Sequence, residues 1–556
     1  MADPLYVERW LPRIFLALLA PIYLIYLFAP GFGHFHDDGV YLSTAHALAS
    51  GKGYIHESLP VVVPQTKYPF LYPALLVPFW LITASPSTVA FLAKLLSFFS
   101  LGAWAIVTRR LIRHWLPNEE AIDWISFFSL AAPWTLYLGT SALPDALFAL
   151  LCALCLYALL NIDAAAGRRH TLMLVMASLA AAAAFLIRTT GLAIVLASFV
   201  YLLRRRPKDG IAFLAICALL CSPWLLWQAS QTAPLDPVLV YYSKLSYAKG
   251  HILSGYSQQQ MLSVFLYNAV ILLTPFLPWA PAIPFGLALA LGLILGTLSV
   301  IGLIRCLRQG EHLGLWVTFY TGILLCWIWP PYRYAFPAMA AYLLLWGLGI
   351  QPFLKSRWRL RSARYALVSL AAVAILSDAA SAKRTLELGA TVVGWADADD
   401  WKQQIEMLEW IRTNTPESAV LSANLDPVVF LLTQRKAIKP FEHLQYELNY
   451  GGGSGPSAVG TPDEILHHLH RNRVTHVFVS PMNNFREKRA YEAAFAQILK
   501  SYPLVLRKVH EIVGSGYAVF EVDRSRLSGA LRPSADPAVR SFSSSTLLTA
   551  SSKASN

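Results

Sequence analysis

Two adjacent carboxylates stand in residues 34–39 (HFHDDG), just after the first long apolar segment of the chain. Carboxylates at a membrane surface are costly unless they are paired, hydrated or used in chemistry. One aspartate is enough to cap the helix that is expected to follow, which is a common role for Asp. The residue pattern therefore leaves a helix cap and a catalytic base as equal interpretations of Asp37 and Asp38.

The same loop continues with residues 67–73 (KYPFLYP). A lysine flanked by aromatic rings and prolines at the membrane surface suits a phosphate at headgroup depth, and Tyr72 belongs to the same run. The alternative is a lysine that extends its ammonium group to the interface beside an aromatic belt. Lys67 is therefore a candidate phosphate ligand.

A second cation precedes a late apolar segment, in residues 330–337 (PPYRYAFP). Arg333 is expected on the side of the membrane opposite to the basic clusters, and its guanidinium could hold a phosphate with two hydrogen bonds. The alternative is a salt bridge to Asp37 or Asp38. Either interpretation places Arg333 at the same site as the acidic pair.

Three further polar residues on that side are secondary candidates. Asp145 begins one apolar segment and Arg188 lies between two others. Each of these two could equally be a helix cap or part of a structural ion pair. His36 directly precedes the acidic pair and, together with His34, could contribute to a divalent metal site.

The elements that must position these residues are membrane helices. Of the 556 residues, 56% are hydrophobic and 14% are charged, whereas soluble domains have about 45–50% apolar and about 25% charged residues. Apolar stretches of about 17–25 residues, long enough to cross a bilayer core, recur along most of the chain. The Lys and Arg residues behind the net charge of +13 stand in short clusters between these stretches, as in cytoplasmic loops. This pattern excludes nucleic-acid binding.

Eleven segments are predicted to span the membrane, with the N-terminus in the cytoplasm and the C-terminal part outside. They are residues 11–30, 87–108, 122–138, 143–162, 171–187, 189–203, 211–229, 283–304, 313–329, 333–351 and 365–382. Residues 261–280 are also apolar, but counting them would place Arg305 and Arg308 outside, and Pro275 and Pro278 interrupt a simple helix. We therefore expect a re-entrant or surface-lying segment there.

The predicted fold is a polytopic α-helical membrane protein with a C-terminal soluble α/β domain. Residues 1–382 form the membrane domain, and its first external loop, residues 31–86, carries the acidic pair and Lys67. An amphipathic helix within that loop is expected to lie in the membrane interface and to end before Gly51. Residues 383–523 form the soluble domain, and residues 524–556 are predicted to be a disordered tail.

Alternating helices and strands predict the α/β character of the soluble domain. Thr461, Pro462 and Glu464 give one of its helices a typical start. The predicted helices are residues 399–414, 427–434 and 461–473, and the predicted strands are residues 419–423, 474–480 and 517–522.

In these motifs the chain resembles the GT-C membrane glycosyltransferases, in the branch of the protein O-mannosyltransferases and the lipid A aminoarabinose transferase. The resemblance covers roughly residues 10–380 and rests on the order of four short motifs. They are the pair Asp37-Asp38, the Lys/Pro/Tyr element at 67–73, Pro144-Asp145, and Arg-Tyr-x-x-Pro at 333–337. The family's usual Asp-Glu is Asp-Asp here, and its usual Lys-Pro-Pro is Lys-Tyr-Pro. The chain also lacks a counterpart of the further motifs of eukaryotic protein mannosyltransferases, which favours a bacterial envelope enzyme.

The resemblance implies an inverting glycosyltransferase of the bacterial inner membrane that acts on its outer face. The donor would be a polyprenyl phosphate sugar, and the acceptor a hydroxyl of an envelope glycan, lipid or protein. Asp37 or Asp38 would be the general base, while Lys67 and Arg333, with the adjacent Tyr334, would bind the donor phosphate. No cofactor is required, although a divalent metal could bind beside the acidic pair.

Two classes of protein compete with this interpretation. A secondary transporter would show inverted repeats and ionisable residues near the middle of the membrane, whereas no internal repeat is evident and the charges cluster at one surface. A non-catalytic envelope assembly protein would keep the fold without turnover, and the acidic pair argues against it.

Overall fold

The computed structural model describes residues 10–232, 236–246, 257–273, 285–353, 357–392, 400–442, 446, 449–450, 459–481 and 485–531. Residues up to 392 are predominantly helical, and the later residues form a small α/β domain. The numbered helices of the first part are α1 Leu11–Phe28, α2 Asp37–Ala49, α3 Leu71–Ile82, α4 Pro86–Trp115, α5 Glu119–Ala131, α6 Pro133–Gly139, α7 Asp145–Ile162, α8 Gly167–Ile187, α9 Leu192–Arg205, α10 Pro207–Ser230, α11 Pro237–Val240, α12 Gln258–Leu273, α13 Phe285–Arg308, α14 His312–Leu325, α15 Met339–Ile350 and α16 Arg357–Leu388.

Among the described residues, six helices are long and apolar enough to cross a membrane. They are α1, α4, α7, α8, α10 and the part of α16 from Ser362 to Leu388. Shorter apolar helices accompany them at Leu71–Ile82, His312–Leu325 and Phe336–Ile350. The prediction of a multi-pass helical membrane protein is therefore confirmed, while the count of eleven spans and the orientation stay predictions.

Prolines account for two differences from the predicted spans. The segment 122–138 is divided between α5 and α6, because Pro133 has no amide hydrogen with which to continue α5. The segment 333–351 begins with turns and a short 3-10 helix at Phe336–Ala338, again around a proline.

One other prediction differs from the structure at a helix end, and one is covered only in part by the described residues. Helix α16 continues to Leu388, so the predicted domain boundary at residues 382–383 lies inside a helix. Residues 261–280 are helical as far as Leu273, and residues 274–280 lie outside the described residues. The re-entrant character of that segment stays a prediction.

Helices α13 and α15 cross at very short range. A Cβ on Gly302 would lie 2.1 Å from the carbonyl oxygen of Leu345, and a Cβ on Gly349 would lie 2.1 Å from that of Leu298. Small residues allow this approach, as they do in other membrane helix pairs. The crossing fixes α15, and so the irregular segment before it that carries Arg333.

The C-terminal domain is a five-stranded mixed sheet with helices. The strands are β1 Val420–Ser422, β2 Lys436–Ile438, β3 His476–Val479, β4 Leu506–Ile512 and β5 Tyr517–Val522, and the helices are α17 Trp401–Asn414, α18 Asp426–Thr433, α19 Pro462–Arg471, α20 Phe485–Ser501 and α21 Arg524–Ala530. The strand order is β2-β1-β3-β5-β4, with β2, β1 and β3 parallel and β5 antiparallel to both of its neighbours. All six predicted elements are present, and Thr461 and Glu464 form the predicted capping box of α19.

One prediction for the end of the chain is wrong, and one for the first external loop needs correction. The tail was expected to begin at residue 524, but Arg524–Ala530 is a helix, capped by Asp523 and anchored by the buried Leu527; residues 532–556 lie outside the described residues. The helix in the first external loop, α2, does not have the exposed apolar face that was expected, while its position in the membrane interface stays a prediction. It is buried along most of its length because α3 and, from the C-terminal domain, α18 pack against it.

Candidate active site

The acidic pair begins helix α2 directly after a strained turn. His36 precedes the helix with φ of +64°, a backbone conformation that L side chains rarely adopt. Its amide donates to the carbonyl oxygen of Gly33 at 3.0 Å. The hydrogen bonds that follow show that Asp37 and Asp38 have separate sets of partners.

Asp37 interacts with Arg333, a predicted phosphate ligand, and with Tyr68, the neighbour of the predicted ligand Lys67. It accepts a hydrogen bond of 2.6 Å from the Tyr68 hydroxyl, and it forms an ion pair with Arg333, 296 positions later. Burial would raise the pKa of Asp37, but the charges of Arg333 and Lys67 and the bond from Tyr68 hold that pKa well below its ordinary value. Asp37 is therefore ionised at neutral pH.

Asp38 instead closes the turn before the helix. Its carboxylate accepts a hydrogen bond of 2.5 Å from the backbone amide of Gly33. Burial raises the pKa of Asp38 to about 6, with the amide of Gly33 opposing the rise and the charge of Asp37 adding to it. Asp38 thus has a local structural role in the turn before α2, but it is not a helix cap, because its bond goes to Gly33 outside the helix. Asp37 faces the cations.

Lys67 lies among aromatic rings in the interior of the protein. Its ammonium nitrogen is 3.6 Å from the ring centroid of Tyr241 and 5.4 Å from that of Trp329. Such cation–π contacts partly compensate an ammonium group for the loss of water. Burial lowers the pKa of Lys67 to about 7, the charge of Asp37 opposing the fall and that of Lys439 adding to it.

Arg333, the ion-pair partner of Asp37, also contacts two aromatic rings. Its guanidinium lies over the rings of Phe35, at 4.9 Å, and Tyr334, at 5.0 Å. Arg188 lies 4.8 Å from the same Tyr334 ring and forms a buried ion pair of 2.5 Å with Asp145. Asp145 and Arg188 thus form the structural ion pair that was one of the two alternatives. Arg188 also packs against the ring of Tyr334.

The structure places Tyr72 and His36 at the edges of this cluster. Tyr72 is fully buried and packs its ring edge-on against Tyr41, 5.1 Å away, whose ring in turn contacts Tyr68. His36 turns away from the acidic pair, and its Nε2 atom lies 2.7 Å from Oδ1 of Asp426. Among the described contacts, neither residue forms a hydrogen bond with Asp37, so both lie beside the site.

Four residues of the site were not singled out from the sequence. Tyr68 lies inside the motif at 67–73, and Tyr241 lies between the predicted spans 211–229 and 283–304. Neither tyrosine had a spacing or a neighbour that pointed to chemistry. Asp426 and Lys439 come from the C-terminal domain, and the ammonium nitrogen of Lys439 lies 5.0 Å from the ring of Tyr241 that Lys67 also faces. No spacing pattern links residues so far apart in the chain.

The metal alternative finds no ready set of ligands. No group of three or more His, Cys, Asp or Glu side chains suited to a metal ion occurs within the part of the chain that the structure describes. His36 is engaged with Asp426, and His34 packs against Trp401, with ring centroids 5.9 Å apart. Whether turnover needs a divalent metal stays open to test.

The cluster as a whole can bind and stabilise an anion. Lys67, Arg333 and Lys439 bring three cations to one site, and Asp37 supplies a carboxylate among them. Preorganised charges in a site that excludes water act more strongly than the same charges in solution. This arrangement suits a reaction in which a hydroxyl is deprotonated while a phosphate leaves.

No protein-family model and no curated protein sequence matches the chain. Among solved structures, the chain is similar to ArnT from Cupriavidus metallidurans. For the apo state the TM-score is 0.55 at 14% sequence identity, over 92% of this chain and 98% of ArnT. For ArnT bound to undecaprenyl phosphate the TM-score is 0.53 at 16% identity, over 91% of this chain and 97% of ArnT.

The similarity extends over nearly the whole of both chains, so it includes the membrane helices and the C-terminal domain. At these identities it establishes the fold and leaves the reaction to be argued from the site. The chain therefore has the GT-C fold that ArnT has, a bundle of membrane helices followed by a C-terminal α/β domain.

Proposed function

We propose that the protein is an inverting glycosyltransferase that moves one sugar from a polyprenyl phosphate carrier to a hydroxyl acceptor. The observation that carries this proposal is the junction of Asp37 with Arg333 and Lys67. Asp37 and Lys67 come from the first external loop and Arg333 lies 296 positions after Asp37, yet the three charges meet in one buried cluster.

In the proposed step, the acceptor hydroxyl attacks the anomeric carbon from the face opposite the phosphate. Asp37 takes the hydroxyl proton, a bond forms between the acceptor oxygen and the anomeric carbon, and the bond from that carbon to the phosphate oxygen breaks. The electron pair of the broken bond leaves on the polyprenyl phosphate. General base catalysis of this kind contributes typically about 10²–10⁴-fold.

The low pKa of Asp37 in the free protein is compatible with this role. The charges of Arg333 and Lys67 are what hold it down. A donor phosphate bound to the same two cations would neutralise part of their charge, and the pKa of Asp37 would rise toward the range of a useful base. Donor binding would thus activate the base.

The cations have a second part in the same step. Negative charge accumulates on the phosphate as the sugar leaves, and Lys67 and Arg333 would stabilise it. Removing one such electrostatic partner typically costs about 3–4 kcal/mol in the barrier. Tyr334, held between Arg188 and Arg333, would keep the guanidinium in place.

The choice of a lipid phosphate donor has support from the fold and from the chain's own composition. ArnT, whose fold the chain shares, has been solved with undecaprenyl phosphate bound. The candidate site lies beside apolar helices long enough to cross a membrane, where a polyprenyl tail would be accommodated. We also propose that the reaction takes place on the outer face of a bacterial inner membrane. The acceptor would be a hydroxyl of an envelope glycan, lipid or protein.

The test is turnover by purified protein in detergent or liposomes. Radiolabelled polyprenyl phosphate sugars, with several hexoses and pentoses, are incubated with extracted envelope glycans, lipids and proteins, with and without a chelator. The proposal expects release of polyprenyl phosphate and transfer of label with inverted anomeric configuration. Folded protein that consumes no donor, yet takes up solutes in sealed vesicles, would support the transporter alternative.

A further inference from the structure

We propose that the C-terminal domain holds the acidic turn of the active site in a strained conformation through a hydrogen bond between Asp426 and His36. This inference rests on the proposed function in assigning the turn a catalytic purpose. It makes Asp426 and His36 positioning residues, because they act on Asp37 through the backbone.

The strain lies at the residue before the catalytic aspartate. His36 has φ of +64° and ψ of −43°, outside the regions that a residue with a Cβ adopts readily. Such conformations persist only where the surrounding structure imposes them, and they concentrate at functional sites. Here the strained residue directly sets the direction in which Asp37 leaves the turn.

The restraint on His36 comes from the other domain. Nε2 of His36 lies 2.7 Å from Oδ1 of Asp426, both side chains are buried, and the two residues are 390 positions apart. The second carboxylate oxygen of Asp426 accepts from the hydroxyl of Ser58 at 3.3 Å. Asp426 thus holds the first external loop at two points on either side of α2.

The helix that Asp426 begins, α18, is in direct contact with the turn. A Cβ on Gly33 would lie 2.0 Å from Cγ2 of Val428, and a Cβ on Gly39 would lie 3.1 Å from Cβ of Pro427. The neighbouring strand continues the contact, because the amide of Ala437 donates to the carbonyl oxygen of Ser58 at 2.8 Å. The domain is therefore positioned to transmit a restraint to the turn.

Substitution of His36 by two small residues separates backbone restraint from packing. His36→Ala loses the hydrogen bond and keeps the strain, whereas His36→Gly loses the hydrogen bond but accepts a positive φ without a steric penalty. We expect kcat of His36→Gly to exceed that of His36→Ala by about 5- to 30-fold, the factor that a left-handed conformation costs a residue with a Cβ. A packing role predicts the reverse order, because alanine fills more of the space.

Removal of the partner carboxylate completes the cycle. Asp426→Ala should lower kcat, measured at saturating donor, by up to about 100-fold, the effect of a displacement near 1 Å. The donor KM should rise only as far as loss of the Asp426 charge lowers the pKa of Lys67. In the His36→Gly background the same substitution should lower kcat much less, because only the hydrogen bond from Ser58 remains to be lost. Asp400→Ala is the matched control, because Asp400 also begins a helix of this domain, capping Lys402 at 2.9 Å, and it should leave kcat unchanged.

A second readout needs no substrate and so separates this inference from the proposed function. Hydrogen–deuterium exchange of the amides in residues 33–40 should be faster in Asp426→Ala than in the wild type or Asp400→Ala. Equal exchange in all three proteins would overturn the inference. A folded His36→Gly variant that is as inactive as His36→Ala would also overturn the inference. That result would instead point to the His36 ring as a reacting group through Nδ1, which has no hydrogen-bond partner among the described residues. If the wild type consumes no donor, the exchange experiment still decides.

Discussion

At the scale of single residues, the two adjacent aspartates of the site have different partners. Asp37 faces Arg333 and Lys67, and Asp38 closes the turn on Gly33. Neither carboxylate could be assigned its role from the sequence, because both stand in the same short run. The difference arises from the turn at His36, which sends them to different partners.

The pKa of Lys67 predicts how donor use depends on pH. Burial lowers this pKa to about 7, and only the ammonium form attracts a phosphate. We therefore expect kcat/KM for the donor to fall about tenfold per pH unit above pH 7, since kcat/KM follows the free enzyme. The value of kcat should change little, because bound phosphate keeps Lys67 charged. Lys67→Arg should remove the alkaline fall, as arginine stays protonated; a flat profile in the wild type would contradict this account.

Lys439 is predicted to bind the same anion from the side of the C-terminal domain. Lys439→Ala should raise the donor KM by roughly tenfold or more, the value of one hydrogen bond to a charged group. It should also move the alkaline fall of kcat/KM to higher pH, because the charge of Lys439 lowers the pKa of Lys67. Lys508→Ala, at an exposed lysine of the same domain, is the control. An unchanged pH profile in Lys439→Ala would exclude Lys439 from the site.

The residues that could be found from the sequence are those with a chemical reason to stand where they do. A lysine among aromatic rings and an arginine outside the basic clusters both pointed to an anion, and the structure brings Lys67 and Arg333 to Asp37. Asp426 and Lys439 carried no such signal, because an aspartate at a helix start and a lysine after a strand are ordinary. Their place in the site depends on docking between distant segments.

At the scale of elements, the contact between α18 and the start of α2 joins the two parts of the protein. Hydrophobic periodicity predicted both helices, yet it could not show that one covers the other. The same periodicity suggested a surface position for α2, since an apolar face is the same whether lipid or protein covers it. The strand β2 at Lys436–Ile438 is too short to show a periodic signal. Helix α20 at Phe485–Ser501 does show one, because Tyr491, Ala494, Phe495 and Ile498 stand at helical spacing and are buried, so it could have been predicted from the sequence.

A pair of glycines tests this contact. Gly33 and Gly51 both have positive φ, +84° and +70°, so alanine at either position costs about 1–2 kcal/mol in backbone strain. Only at Gly33 does the added Cβ meet another element, Val428, while nothing lies within 4 Å of it at Gly51. Gly33→Ala should lower the free energy of unfolding by about 1–3 kcal/mol more than Gly51→Ala does, because it adds overpacking to the backbone strain. The thermal midpoint should fall correspondingly further. Val428→Ala should partly rescue Gly33→Ala alone; equal losses at the two glycines would argue against the contact.

At the scale of the whole molecule, the account needs the C-terminal domain and the candidate site on one side of the membrane. The structure satisfies this condition internally, because α18 and β2 touch the first external loop. Which side that is depends on the basic clusters, and the prediction from them is that the domain lies outside the cytoplasm.

Thiol labelling in intact cells tests the orientation. In a background where the exposed Cys326 is replaced by Ser, we introduce Val513→Cys in the C-terminal domain, at a position that is 87% exposed. Arg168→Cys, at an exposed residue of a basic cluster in the first turn of α8, is the matched position on the other side. A membrane-impermeant maleimide should label Val513→Cys in intact cells and Arg168→Cys only after permeabilisation. The opposite pattern would reverse the predicted topology.

The most direct test of the central claim is donor cleavage by the wild type, Asp37→Asn and Asp38→Asn, measured side by side as release of polyprenyl phosphate from a labelled donor. Monodisperse elution shows that each protein is folded. The account predicts that Asp37→Asn lowers kcat by about 10²–10⁴-fold and that Asp38→Asn loses much less kcat but some thermal stability, because it weakens the turn on Gly33. Turnover by Asp37→Asn close to that of the wild type would contradict the assignment of Asp37 as the base, and with it the proposed mechanism.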